Sequence, residues 1–274
     1  MRKRPDIARI TVIIPTYNMA ALLAEAVESV LANSFSDVEL MIADDGSTDN
    51  IFSTIRQIRA RLDNDRRSKF HYLKIRHQGK SVAINRALSR ARGDFITILD
   101  ADDKLPVHSL RTRYERATET GAELVLGGFS TFDGHRILGY RSLTPNKNRE
   151  RLIKELLFNI KSPFHQNSML VSKALMERVG FYDENLLRAQ DKDYAIRLLR
   201  EANTVEIIDK PVYLYRRYER GYTNRLRNRL RTIYYKWKVI DKHTSGCRRI
   251  MGLAWGSLVE VGKMGYEFFS IYKN

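Results

Sequence analysis

Residues 93–103 have the sequence Gly93-Asp94-Phe95-Ile96-Thr97-Ile98-Leu99-Asp100-Ala101-Asp102-Asp103, and the fold can be inferred outward from them. The apolar run 95–99 predicts a short buried strand, which the carboxylates of Asp100, Asp102 and Asp103 follow directly. In an open α/β sheet the functional groups lie at the carboxyl ends of the strands, and hard divalent ions prefer carboxylate oxygens as ligands. The stretch therefore predicts a strand that ends in a candidate metal site. The alternative is a solvated turn in which Asp102 or Asp103 caps the next helix.

Strand and helix patterns alternate on the N-terminal side of this stretch. The β-branched run 10–14 predicts a first strand, which Pro15 is expected to stop, and 38–43 and 70–75 are predicted as the second and third strands. Apolar residues at three- and four-residue spacing predict helices over 22–31, 51–62 and 81–91. This alternation predicts an α/β fold with a mainly parallel open sheet and helices on both faces.

The pattern is less regular beyond residue 103. It predicts helices at 109–118, 149–160 and 189–202, and strands at 123–129, 137–140, 167–171, 205–208 and 212–215. Asp133-Gly134 predicts a hairpin turn between two of these strands. Between residues 213 and 250, twelve Lys or Arg face two acidic residues, an excess of 12 − 2 = +10. We therefore predict a globular domain over 1–217, with halves at about 9–103 and 104–217, and a basic, mostly helical C-terminal extension over 218–274.

The overall composition is that of a soluble globular protein with an anionic partner. The chain has 274 residues, of which 43% are hydrophobic and 29% charged, and its formal net charge is +16. Such a charge favours nucleic acid, lipid head groups or phosphorylated substrates as partners. Cys247 is the sole cysteine, which indicates a reducing compartment. The apolar stretch 250–259 is too short to span a membrane.

Polar residues at three predicted strand ends should meet at one edge of the sheet. They are Thr16-Tyr17-Asn18, Asp44-Asp45-Gly46-Ser47 and the acidic stretch 100–103. An aromatic ring can stack on a nucleobase, a carboxylate can accept the N–H of the base, and an acidic cluster can hold a metal ion on a diphosphate. Singly, Tyr17 would more often be a packing residue and Asp45 a turn residue. Together, the three strand ends favour a site for a nucleoside diphosphate.

Neither common phosphate-binding glycine motif is present. Gly79-Lys80-Ser81 opens a predicted helix as a P-loop does, but Lys74 stands where that motif needs a further glycine. A Gly-x-Gly-x-x-Gly fingerprint is absent as well, which argues against a dinucleotide cofactor. Lys80 can still meet a phosphate, since the N-terminus of a helix favours anions.

These motifs, in this order, resemble the family 2 glycosyltransferases, which have the GT-A fold. The resemblance covers about residues 9–216 and is carried by five blocks. They are Thr11-Val12-Ile13-Ile14-Pro15-Thr16-Tyr17-Asn18; Asp44-Asp45-Gly46-Ser47-Thr48-Asp49; the Gly-x-x-x-Ala-x-Asn segment Gly79 to Asn85; the Asp-x-Asp of Asp100-Ala101-Asp102; and Gly180 to Glu184 followed by Gln190-Asp191-Lys192-Asp193-Tyr194. Ile84 stands where the family often has arginine, and Gln190 replaces the usual Glu.

The resemblance implies an inverting transfer from a nucleotide sugar, with UDP-sugars favoured, to a glycan or lipid-linked acceptor in bacterial surface polysaccharide synthesis. Asp191 would be the general base and Asp102 would hold Mn²⁺ or Mg²⁺. Asp193 would support the loop. His165 and Gln166 would border the acceptor site. The implied nucleotide-sugar-binding residues are Pro15, Thr16, Tyr17, Asn18, Asp45, Gly79, Lys80, Asn85, Asp100 and Ala101.

Two other functions compete with this one. A nucleic-acid-binding protein would use the basic C-terminal region, although the excess charge lies outside the part that bears the acidic motifs. The second alternative is a GT-A domain that binds nucleotide sugar without transferring it, which is suggested by Gln190 in place of the usual Glu. Metal-dependent cleavage of a donor separates enzymatic transfer from both.

The C-terminal region also predicts an amphipathic helix. Its apolar stripe comprises Leu226, Leu230, Ile233, Tyr234, Trp237 and Ile240, and its basic flank comprises Arg225, Arg229, Arg231, Lys236 and Lys238. A helix of this kind suits an anionic membrane surface, which predicts a cytoplasmic protein associated peripherally with the inner face of the cytoplasmic membrane. The alternative is that the stripe packs on the catalytic domain.

Overall fold

The computed structural model describes residues 8–143, 148–159, 162–218 and 225–245, with the backbone alone at 225–230. The strands are β1 (Ile10–Thr16), β2 (Val38–Asp44), β3 (Phe70–Lys74), β4 (Phe95–Ile98), β5 (Leu124–Phe132), β6 (Ile137–Arg141), β7 (Leu170–Ser172) and β8 (Val205–Arg216). The helices are α1 (Ala20–Leu31), α2 (Ile51–Arg61), α3 (Asn64–Ser68), α4 (Lys80–Leu88), α5 (Ser109–Thr120), α6 (Arg149–Phe158), α7 (Lys173–Val179), α8 (Gln190–Glu201) and α9 (Arg225–His243).

One open sheet of eight strands forms the centre of the fold, in the order β3-β2-β1-β4-β7-β5-β6, with β8 paired to β5. The pairs within β1 to β4 are all parallel, and β8 runs parallel to β5. β7 is antiparallel to both β4 and β5, and β6 is antiparallel to β5. The predicted α/β class with a mainly parallel open sheet is confirmed.

Buried apolar strands explain the parallel half. All seven residues of β1 are buried, as expected for a strand covered by helices on both faces. Pro15 does not stop β1 as predicted, because the strand continues to Thr16 in register with β2. The backbone nitrogen of Pro15 points toward β4. The last residue of β1 that pairs with β4 is Ile13, so the missing N–H of Pro15 costs no hydrogen bond between these strands.

The second half departs from the sequence-based prediction at two places. The strands predicted at 205–208 and 212–215 form the single strand β8, which passes Pro211 through register shifts opposite Gly127 and Gly128. The strand predicted at 167–171 is instead a 3₁₀ turn (Gln166–Ser168) followed by β7. The hairpin predicted at Asp133-Gly134 is confirmed as the β5–β6 connection.

The helix α9 packs on the sheet domain near its C-terminal end. Val239 and Ile240 are buried in the same apolar core as residues of α6 and α8. Tyr234 and Trp237, farther back on α9, are exposed. The side chains of Leu226 and Leu230, also assigned to the stripe, lie outside the described residues. Packing on the domain therefore accounts for one end of the stripe, and the division at Arg217 stays a prediction.

Gly93, the first residue of the stretch 93–103, has backbone neighbours that leave no room for a side chain. A Cβ on Gly93 would lie 2.5 Å from the backbone nitrogen of Thr11 and 2.8 Å from the carbonyl carbon of Ile10. Because backbone cannot give way as a side chain can, we expect Gly93→Ala to lower the free energy of unfolding by about 1–3 kcal/mol. Chemical denaturation measures this, with Gly139→Ala as the control, since its new Cβ would approach Thr131 Oγ1 only to 3.7 Å. Equal stability of the two variants would contradict the prediction.

Candidate active site

A cleft of about 360 Å³ opens at the carboxyl ends of β1, β2 and β4. Its lining residues are Pro15, Thr16, Tyr17, Met19, Asp45, His77, Gly79, Lys80, Ala83, Asp100, Ala101 and Asp102. Every residue predicted to bind the nucleotide sugar lies in this lining except Asn18 and Asn85. The three predicted strand ends thus meet around one cavity, as parallel strands require.

Tyr17, Asp45 and His77 form a connected group at one end of the cleft. The ring of His77 stacks on that of Tyr17 with 4.1 Å between centroids, and its Nδ1 lies 2.8 Å from Oδ2 of Asp45. The Asp45 carboxylate also accepts the backbone N–H groups of Gln78 and Gly79, which orders the loop after β3. His77 was missed in the sequence analysis. Its position beyond the third predicted strand, two residues before Gly79, was the available signal.

Asn18 and Asn85 form hydrogen bonds to the loops around the cleft. Asn18 has a positive φ of 53°, and its Oδ1 accepts the backbone N–H of Thr48, which joins the ends of β1 and β2. Asn85 joins α4 to the loop before α8. Its Nδ2 donates to the carbonyl of Tyr182 and to Glu184 Oε1, and its Oδ1 accepts the N–H of Tyr182. Both amides therefore shape the loops that border the cleft.

Lys80 links the two halves of the domain electrostatically. Its Nζ lies 2.8 Å from Oδ1 of Asp100 and 3.7 Å from Oδ2 of Asp191. Burial opposes the charge of Lys80, but Asp100 and Asp191 together raise its pKa. Burial likewise opposes the charge of Asp100, whose pKa Lys80 nevertheless lowers. Asp191, 111 residues later in the chain than Lys80, thus lies next to the cleft through its contact with Lys80, but it is not one of the lining residues.

The environment of Asp191 suits a proton acceptor. Burial raises the pKa of its carboxyl and Asp100 adds to the shift, while Lys80 opposes it. Oδ1 of Asp191 is buried and has no hydrogen-bond partner among the described residues. Gln190, in the family's glutamate position, is also buried, at the first residue of α8. One buried carboxylate oxygen next to the cleft therefore has unused hydrogen-bonding capacity.

The acidic cluster divides into two roles. One oxygen each from Asp100, Asp102 and Asp103 can lie within 4.8 Å of one another. Asp103, however, accepts the hydroxyl of Tyr213 at 2.6 Å and the backbone N–H of Arg216 at 2.7 Å, and burial raises its pKa to about 8. Asp100 and Asp102 remain facing the cleft, and their oxygens fit a hard divalent ion.

His165 belongs to an aromatic cluster beside Asp100. Its ring stacks on Tyr213 with 4.5 Å between centroids and lies 5.1 Å from the ring of Tyr215. Burial lowers the pKa of His165 to about 4, with Asp100 opposing the shift and Lys80 adding to it. The imidazole is therefore neutral at pH 7. Gln166, the other residue predicted to border the acceptor site, donates to Ser162 Oγ.

Comparisons with known proteins identify the family and the fold. A family model described as "Glycosyl transferase family 2" matches residues 11–179. Glycosyltransferase GlyG of Streptococcus pneumoniae is 29% identical over 222 residues, which are 76% of this chain and 70% of that protein. The GalNAc(5)-diNAcBac-PP-undecaprenol β-1,3-glucosyltransferase of Campylobacter jejuni is 33% identical over 111 residues, 40% of this chain and 35% of that protein.

Solved structures show the same fold. S. aureus TarS 1–349 matches with a TM-score of 0.68 and 18% identity, over 93% of this chain and 72% of that one. The mannosyltransferase PcManGT from Pyrobaculum calidifontis, in complex with GDP-Man and Mn²⁺, matches with a TM-score of 0.61 and 20% identity, over 92% of this chain and 73% of that one. At these identities the likeness establishes the fold, which is the GT-A fold that the sequence motifs implied.

Proposed function

The chain belongs to glycosyl transferase family 2, and on that premise we propose that it transfers a sugar from a nucleoside diphosphate to a hydroxyl group, with inversion at the anomeric carbon. We propose a UDP-sugar donor, a glycan or lipid-linked acceptor, and a place in bacterial surface polysaccharide synthesis. One observation carries the proposal. A single cleft joins a candidate base-binding group, two carboxylates suited to a metal ion and, across Lys80, the carboxylate of Asp191.

The donor nucleotide would lie along the strand ends. Tyr17 would stack on the nucleobase and Asp45 would accept a ring N–H, with Pro15 and Thr16 lining the site. Support for UDP comes from S. aureus TarS, which has been solved in complex with UDP and with UDP-GlcNAc. Support for a lipid-linked acceptor comes from the name of the Campylobacter glucosyltransferase.

Asp102, with Asp100 beside it, would hold Mn²⁺ or Mg²⁺ on the diphosphate. A divalent ion bound there would act as a Lewis acid toward the departing diphosphate. Lys80 adds a fixed positive charge at the same end of the cleft, since Asp100 and Asp191 keep it protonated. Lys80 and an ion held by the two carboxylates would together place positive charge where negative charge develops.

Asp191 would act as the general base. Its free oxygen would accept the proton of the acceptor hydroxyl as that oxygen attacks the anomeric carbon, and the bond from this carbon to the phosphate oxygen would break as the nucleoside diphosphate leaves. The raised pKa of Asp191 makes it a stronger base than an ordinary aspartate. A single displacement of this kind inverts the anomeric centre. Asp193 faces away from the cleft and is not available for a second carboxylate role.

A donor screen tests the proposal. Purified protein is incubated with UDP-, GDP- and other nucleotide sugars, with Mn²⁺, Mg²⁺ or chelator, and release of nucleoside diphosphate is measured. We expect metal-dependent release from at least one donor, fastest for a UDP-sugar, and NMR of the product should show an inverted anomeric configuration. Tight nucleotide binding without release would favour the non-catalytic domain. Salt-sensitive nucleic-acid binding without release would favour the nucleic-acid-binding protein.

We also propose peripheral association with the cytoplasmic face of an anionic membrane. No helix in the described part of the chain is both long and apolar enough to cross a membrane. Tyr234 and Trp237 are exposed on α9, and Lys238 lies 5.0 Å above the ring of Tyr234. Aromatic and basic side chains of this kind suit a lipid interface, where each Lys or Arg contributes about 1 kcal/mol.

Vesicle co-sedimentation tests this association. The full chain should sediment with anionic but not with neutral vesicles, less at high salt, and the double variant Tyr234→Ser/Trp237→Ser should sediment less than the unchanged chain. Phe52→Ser is the control, because it removes a 70% exposed aromatic ring from α2. This design avoids truncation after Arg217, which would uncover the core that Val239 and Ile240 help to fill. If the full chain ignores anionic vesicles at low salt, the membrane proposal is wrong.

A further inference from the structure

Helix α9 contacts the segment that carries Asp191 on both sides of that residue. Before Asp191, Nη1 of Arg188 donates to Oγ1 of Thr232 at 3.2 Å. Farther before it, Nζ of Lys242 donates to Oδ2 of Asp183 at 2.7 Å. On the other side of Asp191, a second aspartate, Asp193, contacts both Lys242 and His243 of α9. The segment 183–193 is therefore attached to α9 at three points along its length.

The third attachment is the strongest, because it is buried and charged. Asp193 has no exposed side-chain surface, and its Oδ1 lies 2.8 Å from Nε2 of His243 and 3.1 Å from Nζ of Lys242. Its other oxygen accepts Nε of Arg197 at 2.9 Å. Burial opposes the charge, yet His243, Arg197 and Lys242 together lower the pKa of Asp193 to about 2. A buried carboxylate of this kind requires its partners, since an unpaired charge there would be costly.

The partners of His243 determine its tautomer. Its Nδ1 lies 2.9 Å from a guanidinium nitrogen of Arg200, which can only donate, so Nδ1 is the acceptor. Nε2 therefore carries the proton and donates to Asp193. The backbone carbonyl of His243 accepts a second nitrogen of Arg200 at 2.8 Å. His243 thus joins the first turn of α8 to its last turn, and the imidazole is only 3% exposed.

The carboxylate of Asp191 makes few contacts of its own that would fix its position. Its Oδ1 has no hydrogen-bond partner among the described residues, and its Oδ2 faces Lys80 at the long distance of 3.7 Å. Helix α8 begins after Ala189, which has a φ of 58° and a methyl side chain that cannot cap the helix. The position of Asp191 therefore follows the position of the first turn of α8, and Asp193 belongs to that turn.

We propose that His243 and Lys242 of α9 are positioning residues for Asp191, which hold the first turn of α8 through Asp193 and so aim the Asp191 carboxylate into the cleft. The proposal rests on Asp191 being the general base, as proposed above. It assigns the end of α9 to the catalytic apparatus, although neither residue reaches the cleft lining. A displacement of about 1 Å at a reacting group can cost about 10²-fold in rate, so loss of this contact should lower kcat.

The test measures kcat, the KM of the donor, the Kd of the nucleotide and the melting temperature for single variants of the full chain. His243→Ala and Lys242→Ala should each lower kcat by about tenfold to 10²-fold, with nucleotide Kd and donor KM nearly unchanged in folded protein. His243→Gln should restore most of kcat, because its amide nitrogen can donate to Asp193 as Nε2 does. Lys210→Ala, which removes an exposed positive charge from β8, is the charge-matched control.

A double variant separates positioning from general destabilisation. In the Asp191→Asn background, His243→Ala should change kcat by less than about threefold, because both changes act on the same group. A merely structural role would instead lower kcat by the same factor in both backgrounds, or weaken nucleotide binding in parallel without rescue by His243→Gln. Either result, or an unchanged kcat in folded His243→Ala, overturns the proposal. If Asp191→Asn itself keeps its rate, the general-base assignment is what fails.

Discussion

Replacing Asp191 by asparagine is expected to lower kcat by about 10²–10⁴-fold, while the dissociation constants of donor nucleotide and metal stay near those of the unchanged protein. The amide keeps the size of the carboxylate but cannot take the proton of the acceptor hydroxyl. Lys80 lies 3.7 Å from this carboxylate but 2.8 Å from Asp100, so its closer ion pair on the donor side of the cleft stays in the variant. Single-turnover transfer and calorimetric binding of the nucleotide measure the two effects separately.

A matched change on the same helix controls for the removal of a carboxylate. Glu201→Gln neutralises an exposed carboxylate at the other end of α8 and should leave kcat unchanged. If Asp191→Asn lost donor affinity and rate by the same factor, Asp191 would be a structural residue. The base would then have to be sought elsewhere, although Asp193 is saturated by Arg197 and the end of α9.

Replacing Asp102 by alanine is expected to reduce transfer below detection and to make binding of the nucleoside diphosphate independent of metal. The diphosphate would lose the counterion that the carboxylate holds, so its affinity in Mn²⁺ should fall to the value measured with chelator. The fold should persist, since Asp102 lies at the surface of the cleft and the hydrogen bond that its carboxylate accepts from Tyr218, at 3.1 Å, is exposed.

The free nucleoside provides the control for this prediction. Uridine lacks the diphosphate, so its binding should ignore metal in both proteins and should differ little between them. Circular dichroism and the melting temperature report on the fold of the variant. Full transfer activity of Asp102→Ala in the presence of chelator would exclude the metal role.

The parallel half of the fold could be predicted because its strands are short, apolar and β-branched, and because Gly and Asp punctuate them. The antiparallel half could not be predicted as well. β8 contains Pro211, which ends a strand by local rules, and the strand continues only because Gly127 and Gly128 of β5 allow a register shift. Tertiary pairing thus overrode a local signal, which no single-sequence pattern records.

The location of the cleft could be predicted from the strand ends, but the contacts between its side chains could not. Lys80 was expected to meet a phosphate, whereas its pairing with both Asp100 and Asp191 depends on how α4 and α8 pack. His77 was missed because its place beyond the third predicted strand is its one signal in the sequence, and a lone histidine belongs to no motif. Asn85 belonged to a motif that implied nucleotide contact, and its amide instead bonds the loop at 182–184.

The bonds of Asn85 bear on the construction of chimeric enzymes. Two of its three hydrogen bonds are to the backbone of residue 182, so they do not depend on which side chain stands there. The third, to Glu184 Oε1, does depend on sequence. A chimera that joins residues 9–103 of this protein to the following part of a relative should therefore keep Asn85, a hydrogen-bond acceptor at position 184 and a partner for Glu25 in place of Arg216.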